Sequence, residues 1–199
     1  MNTKTEFTDT RLHLLETGTR LILGKGFSAV GLAEILSTAG VPKGSFYHYF
    51  RSKEQFGIEL VQHYFSLYLS RLEALFQDAS LTPSQRIMAY WTRWHQLYRD
   101  GSCEEQCLVV KLSAEVADLS EPMRQELLAG TQQIVTHLAR ILEQAQAVHE
   151  VILPTPPRAM AEELYQLWLG ASLLTKLRRD DSALSAALLS SQRLLGITG

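Results

Sequence analysis

Two cysteines, Cys103 and Cys107, stand four positions apart in a chain of 199 residues. A thiolate attacks electrophiles and oxidants far faster than a neutral thiol, and a nearby ammonium or helix N-terminus favours the thiolate. Lys111, one helical turn beyond Cys107, and Lys176, on a distant segment, are candidate cations. Glu104 and Glu105 work against them if they come close. Oxidation of such a thiol begins reversibly, at sulfenic acid. Two thiols with only His95 nearby fall short of a closed zinc set, so no metal is expected.

A second group offers different chemistry. Residues 41–53 read VPKGSFYHYFRSK: aromatic or imidazole rings occupy 46–50, basic residues flank them, and the first acid is Glu54. On helical spacing Phe46, Tyr49 and Phe50 share one face, suited to a core, while Tyr47 and His48 project elsewhere. Gly44 and Ser45 leave the first turn slim, so backbone N–H groups can approach a phosphate. Lys43 can reach a phosphate or a guanine edge, Ser45 can donate to either, and Arg51 and Lys53 can clamp phosphate at the next helix start.

These groups need helices to position them. Apolar residues recur at three and four along 9–25, with Leu12, Leu15, Thr19, Ile22 and Leu23 as the expected inner stripe. Gly24-Lys25-Gly26 stops that helix, 32–39 forms a second, and 43–49 a third. A long fourth helix is expected from Lys53 to Gln77, with Phe56, Leu60, Tyr64, Leu67 and Leu75 inward. Thr82 caps a fifth helix over 83–99 with Pro83 at its first position. Further helices are expected over 103–117, 120–148 (capped by Ser120), 158–178 and 181–195. Strand signals are absent throughout.

Two short helices joined by Ala39-Gly40-Val41-Pro42-Lys43 have helix-turn-helix geometry, in which the second helix enters the major groove of DNA. The net charge of −2 excludes a protein that binds nucleic acid over its whole surface. The first sixty residues are slightly basic and the remainder acidic, consistent with a division of labour. No apolar run reaches membrane-spanning length and the N-terminus lacks a signal-peptide pattern, so a cytoplasmic protein is expected.

The first sixty residues resemble the TetR family of bacterial transcriptional repressors. The resemblance is carried by Gly26-Phe27, Leu32-Ala33-Glu34-Ile35, the run from Ala39 to Phe50, and Ser52-Lys53-Glu54. It implies an all-α fold: a helix-turn-helix DNA-binding domain at 1–52, then a helical regulatory and dimerisation domain at 53–199. It implies DNA contacts from Lys43, Gly44, Ser45, Tyr47, His48 and Lys53. Val30 and Gly31 replace the Ser or Thr that often opens the second helix, and Ser28 is the candidate substitute for that cap and phosphate contact. The partners implied are a palindromic double-stranded operator and a second copy of the chain.

Cys107 to Arg124 and Leu167 to Lys176 resemble one subgroup, the repressors that respond to N-ethylmaleimide and other reactive electrophiles. That resemblance implies release of DNA when Cys107 is modified by an electrophile or oxidant, with Lys176 as the better candidate cation, and control of detoxifying reductase or glyoxalase genes. Trp91, Trp94, Tyr98, Tyr165 and Trp168 are either core or the lining of a pocket for a non-covalent inducer, the rival trigger. Gly170-Ala171-Ser172 lets another helix approach, within the chain or across a dimer. An enzyme using Cys107 as nucleophile is disfavoured, because no base has triad-like spacing and no cofactor loop is present.

Overall fold

The structure, a computed structural model, describes residues 3–99 and 108–197, with side chains described over 10–98 and 108–197. Among the described residues every regular element is a helix: α1 Thr3–Lys25, α2 Leu32–Ala39, α3 Lys43–Tyr49, α4 Lys53–Phe76, α5 Pro83–Arg99, α6 Leu108–Leu119, α7 Glu121–Ala147, α8 Pro157–Arg178 and α9 Ser182–Leu195. The expected boundaries hold to within two residues except that α1 begins six residues before the expected 9 and the expected start at 103 lies outside the described residues. No helix among them is long and apolar enough to cross a membrane.

Capping explains several helix starts. Thr82 and Gln85 form a reciprocal box at α5: the Gln85 N–H reaches Thr82 Oγ1 at 3.4 Å and the Thr82 N–H donates to Gln85 Oε1 at 2.9 Å. Ser52 accepts the Gln55 N–H at 3.0 Å at α4. Ser120 accepts the Met123 N–H at 3.3 Å at α7. Ser28, in contrast, does not cap α2, whose N-cap is Gly31 with no side-chain bond.

The chain packs as two compact units, one made of residues up to 67 with 111–130, the other of 68–110 with 131–199. The boundary drawn at residue 52 therefore runs through the first unit. The reason is apolar: Phe56 and Leu60 at the start of α4 are fully buried, as are Phe46 and Phe50 of α3. In the same unit Met123 of α7 lies where a side chain at Gly57 would stand.

Two inner stripes differ from expectation. Among the described residues of α1, Leu14, Leu15, Thr17, Gly18, Ile22 and Leu23 are buried, while Leu12 is exposed and Thr19 only half-buried. Thr19 instead turns its hydroxyl to the Leu15 carbonyl at 2.8 Å. In α4 Val61, Phe65, Leu72 and Phe76 are inside and Leu67 is exposed. Period alone could not choose among the many apolar residues of that helix. In the second unit α8 packs on α9, and α9 on α5.

Candidate nucleic-acid interface and sensor region

The turn between α2 and α3 is built by Gly40, whose φ of 65° lies in the left-handed region. There the Val41 N–H returns to the Leu36 carbonyl at 3.0 Å and the Gly40 N–H to Ser37 at 3.3 Å. A residue with a Cβ is disfavoured at such a φ, so glycine permits this turn to be tight. Pro42, at φ −61°, then precedes α3.

Below α3 sits an aromatic anchor. The Phe46 ring lies 5.1 Å from that of Phe50 and 5.6 Å from that of Phe56, and Phe50 meets Phe56 edge-on at 5.0 Å. Such contacts fix a helix of seven residues that could not hold itself in water. Tyr49, expected on that face, is half-buried. The opposite face presents Lys43, Gly44, Tyr47 and His48, all exposed, with Ser45 half-buried at its edge. Tyr47 is 52% exposed.

Two of the residues expected to contact DNA make internal bonds. Lys53 Nζ donates to the Phe27 carbonyl at 2.8 Å. Burial pushes the Lys53 ammonium below its ordinary pKa, against the raising effect of Glu115. The Ser28 N–H donates to Glu115 Oε1 at 2.5 Å. Glu115 also accepts the Phe27 N–H at 3.0 Å, and Lys111 Nζ donates to the Gly24 carbonyl at 3.2 Å. Lys111 thus serves the end of α1. Glu115 had no sequence signal of its own; Gly24 and Gly26 announced the turn but not the acid that binds it.

Cys103 and Cys107 lie outside the described residues. Lys176 is exposed near the end of α8, and Tyr98 of α5 donates its hydroxyl to the neighbouring Thr175 carbonyl at 3.3 Å. Four of the five aromatic residues weighed as a pocket, Trp91, Trp94, Tyr165 and Trp168, pack on one another. Trp91 and Trp168 are fully buried and stacked at 4.9 Å, with Trp94 5.8 Å from Trp168 and 6.1 Å from Tyr165. Trp168 Nε1 donates to Ser191 Oγ at 2.9 Å, tying α8 to α9. This is core geometry.

The small-residue triplet divides between faces. Ala171 is buried and Ser172 accepts Trp94 Nε1 at 3.0 Å, so both face inward. Gly170 is exposed with open space around it, and shares its face of α8 with Leu173 and Leu177, which are 50% and 71% exposed.

His95 Nε2 lies 3.3 Å from Ser185 Oγ and 3.4 Å from Asp181 Oδ2. In a hydrolytic triad the hydroxyl and the carboxylate occupy opposite ring nitrogens. Here both face the same nitrogen, which is not a relay.

Comparison with known proteins agrees with the helix-turn-helix and the helical second unit. Residues 14–60 match the model of bacterial regulatory proteins of the tetR family, and 83–190 match the tetracyclin repressor-like C-terminal domain. The chain is 44% identical over 188 residues to the HTH-type transcriptional repressor NemR of Escherichia coli strain K12, covering 94% of each. It is 34% identical to the HTH-type transcriptional repressor DhaR of Mycobacterium sp. strain GP1, over 87% of this chain and 85% of that one. The crystal structure of E. coli NemR in its reduced form superposes with a TM-score of 0.87 at 41% identity, over 94% of this chain and 97% of that one. A regulatory protein TetR from Rhodobacter sphaeroides gives 0.84 at 33% identity, over 92% and 97%. The chain is a member of the TetR family of bacterial regulatory proteins.

Proposed function

We propose that this protein is a dimeric transcriptional repressor that reads a palindromic operator with α3 and releases it when Cys107 is modified by an electrophile or oxidant. The observation that carries the DNA-binding half is the division of α3. Phe46 and Phe50 are fully buried while Lys43, Tyr47 and His48 are exposed on the other side. One recognition helix of seven residues reads too few bases alone, and a two-fold dimer doubles the site. The stripe of Gly170, Leu173 and Leu177 on α8, with exposed Leu189 on α9, supplies an apolar face for the second copy.

The release half is supported by similarity to NemR, a repressor whose solved structure is of a reduced form. With N-ethylmaleimide the chemistry is an addition. The thiolate sulfur forms a bond to one carbon of the maleimide double bond, the π pair moves to the adjacent carbonyl, and water supplies the proton. Modification can release DNA only by its differential energy in the competent and incompetent states. The addition needs no cofactor, and the relatives' role as regulators argues for a protein without catalytic turnover.

Selection of bound DNA from a random pool, with and without N-ethylmaleimide, tests both halves. A palindrome should be enriched, lost on treatment, and retained on treatment by the Cys107→Ser variant. Absence of any enriched palindrome sinks the repressor reading. Release from Cys107→Ser as complete as from the wild type assigns the trigger to a non-covalent inducer or another residue.

A further inference from the structure

The α1–α2 turn is an anion-binding concavity, and the chain fills it with its own carboxylate. Gly26 adopts φ +95°, and the two N–H groups that follow, of Phe27 and Ser28, converge on Glu115 at 3.0 and 2.5 Å. Successive N–H groups beside a left-handed residue make such a concavity. A Cβ at Gly26 would stand 2.9 Å from Glu115 Oε2, so a residue other than glycine would crowd the carboxylate. One turn earlier on α6, Lys111 takes the Gly24 carbonyl in the last turn of α1, where the helix dipole favours a cation. An acid and a base four residues apart on α6 therefore hold both ends of one turn.

We propose that Glu115 is a positioning residue for DNA binding: with Lys111 it makes α6 the element that sets where the helix-turn-helix stands. Burial pushes the Glu115 carboxyl up, but the Ser28 hydroxyl, the Ser28 and Phe27 N–H groups and the Lys111 charge bring it below its ordinary value. It is therefore ionised at neutral pH and binds the turn as an anion. The role of the clasp in signalling rests on Cys107 being the sensor. Cys107 directly precedes α6 in sequence.

The test uses full-length Glu115→Gln, with Lys43→Ala as a control for the DNA-binding reading. Three quantities are measured: hydrogen exchange of the Phe27 and Ser28 amides, operator affinity, and alkylation of Cys107 by N-ethylmaleimide followed by peptide mass spectrometry. In Glu115→Gln those two amides should exchange at least about tenfold faster while Ile35 and Leu36 in α2 keep their protection. Operator affinity should fall roughly 5- to 150-fold, the span of a typical coupling. If DNA-bound and DNA-free states differ at Cys107, operator should slow Cys107 alkylation in the wild type and lose that effect in the variant.

Wild-type operator affinity in Glu115→Gln despite faster amide exchange overturns the proposal, leaving a staple of purely structural value. Unchanged exchange overturns it as well. Full affinity in Lys43→Ala would instead fault the assignment of α3, and wild-type release from Cys107→Ser would fault the sensor; neither alters what amide exchange and affinity say about Glu115. If Glu115→Gln fails to fold, Glu115→Asp keeps the charge, shortens the reach, and is scored on the same measurements.

Discussion

Lys53 of α4 is turned toward Phe27: its ammonium donates to the Phe27 carbonyl at 2.8 Å and stands 4.6 Å from the centroid of the Phe27 ring. Phe27 itself is buried, in the turn that Glu115 binds. The same residue type thus serves two purposes in one domain. Lys43 is exposed at the start of α3 and Lys53 is engaged in holding the turn.

Substituting the two lysines separates these purposes. Lys53→Ala should cost about 1–2 kcal/mol of stability, the sum of a modest hydrogen bond and a cation–π contact. Lys43→Ala should leave the urea midpoint unchanged but lower the slope of log affinity against log salt by about 0.9 per subunit, or about 1.8 for a dimer. An unchanged salt slope for Lys43→Ala would remove that residue from the phosphate contacts.

Helix packing around Gly130 predicts a contrast with Gly170. A Cβ at Gly130 in α7 would lie 2.2 Å from the Phe65 ring, whereas at Gly170 in α8 it meets nothing within 4 Å. Gly130→Ala should destabilise by about 1–3 kcal/mol, since a core ring must shift. Gly170→Ala meets nothing within one chain and should stabilise by about 0.5–1 kcal/mol through helix propensity, unless the second copy packs against it, when that gain is lost. Thermal melts at matched protein concentration decide it. Equal effects at the two sites would mean that Phe65 moves aside freely.

Acid should loosen the turn before it unfolds the rest. The folded pKa of Glu115 lies below its ordinary 4.5, burial being outweighed by hydrogen bonds from Ser28 and Phe27 and by Lys111. A depressed carboxylate stabilises fully above its unfolded value and loses that contribution as pH falls through the folded value. Urea midpoints of the wild type should therefore drop between about pH 5 and pH 3 more steeply than those of Glu115→Gln. Parallel curves for the two proteins would show that Glu115 titrates alike in the folded and unfolded chain. Glu121, held at about 2 by hydrogen bonds from Arg124 and Gln125, stays ionised in the folded chain while the unfolded chain protonates it, so it adds the same slope to both curves and cancels in their comparison.

What the sequence determined by itself was local. The apolar spacing of α2, the left-handed Gly40, Pro42 before α3 and the Phe46–Phe50 pair follow from residues within about a dozen positions, and they suffice for a helix-turn-helix. Helix starts at Thr82 and Ser120 were legible for the same reason, because a cap acts on N–H groups two or three residues away. Tertiary structure decided what depends on distant partners. Glu115 meets the Ser28 N–H 87 positions away, and in sequence it is indistinguishable from an acid on a solvated helix face. The inward bond of Lys53, the outward turn of Leu67 and the parting of Gly170 from Ala171 and Ser172 are of the same kind. Which side of a helix is inside depends on what packs there, and a period of 3.6 residues fixes the stripe but not its neighbour.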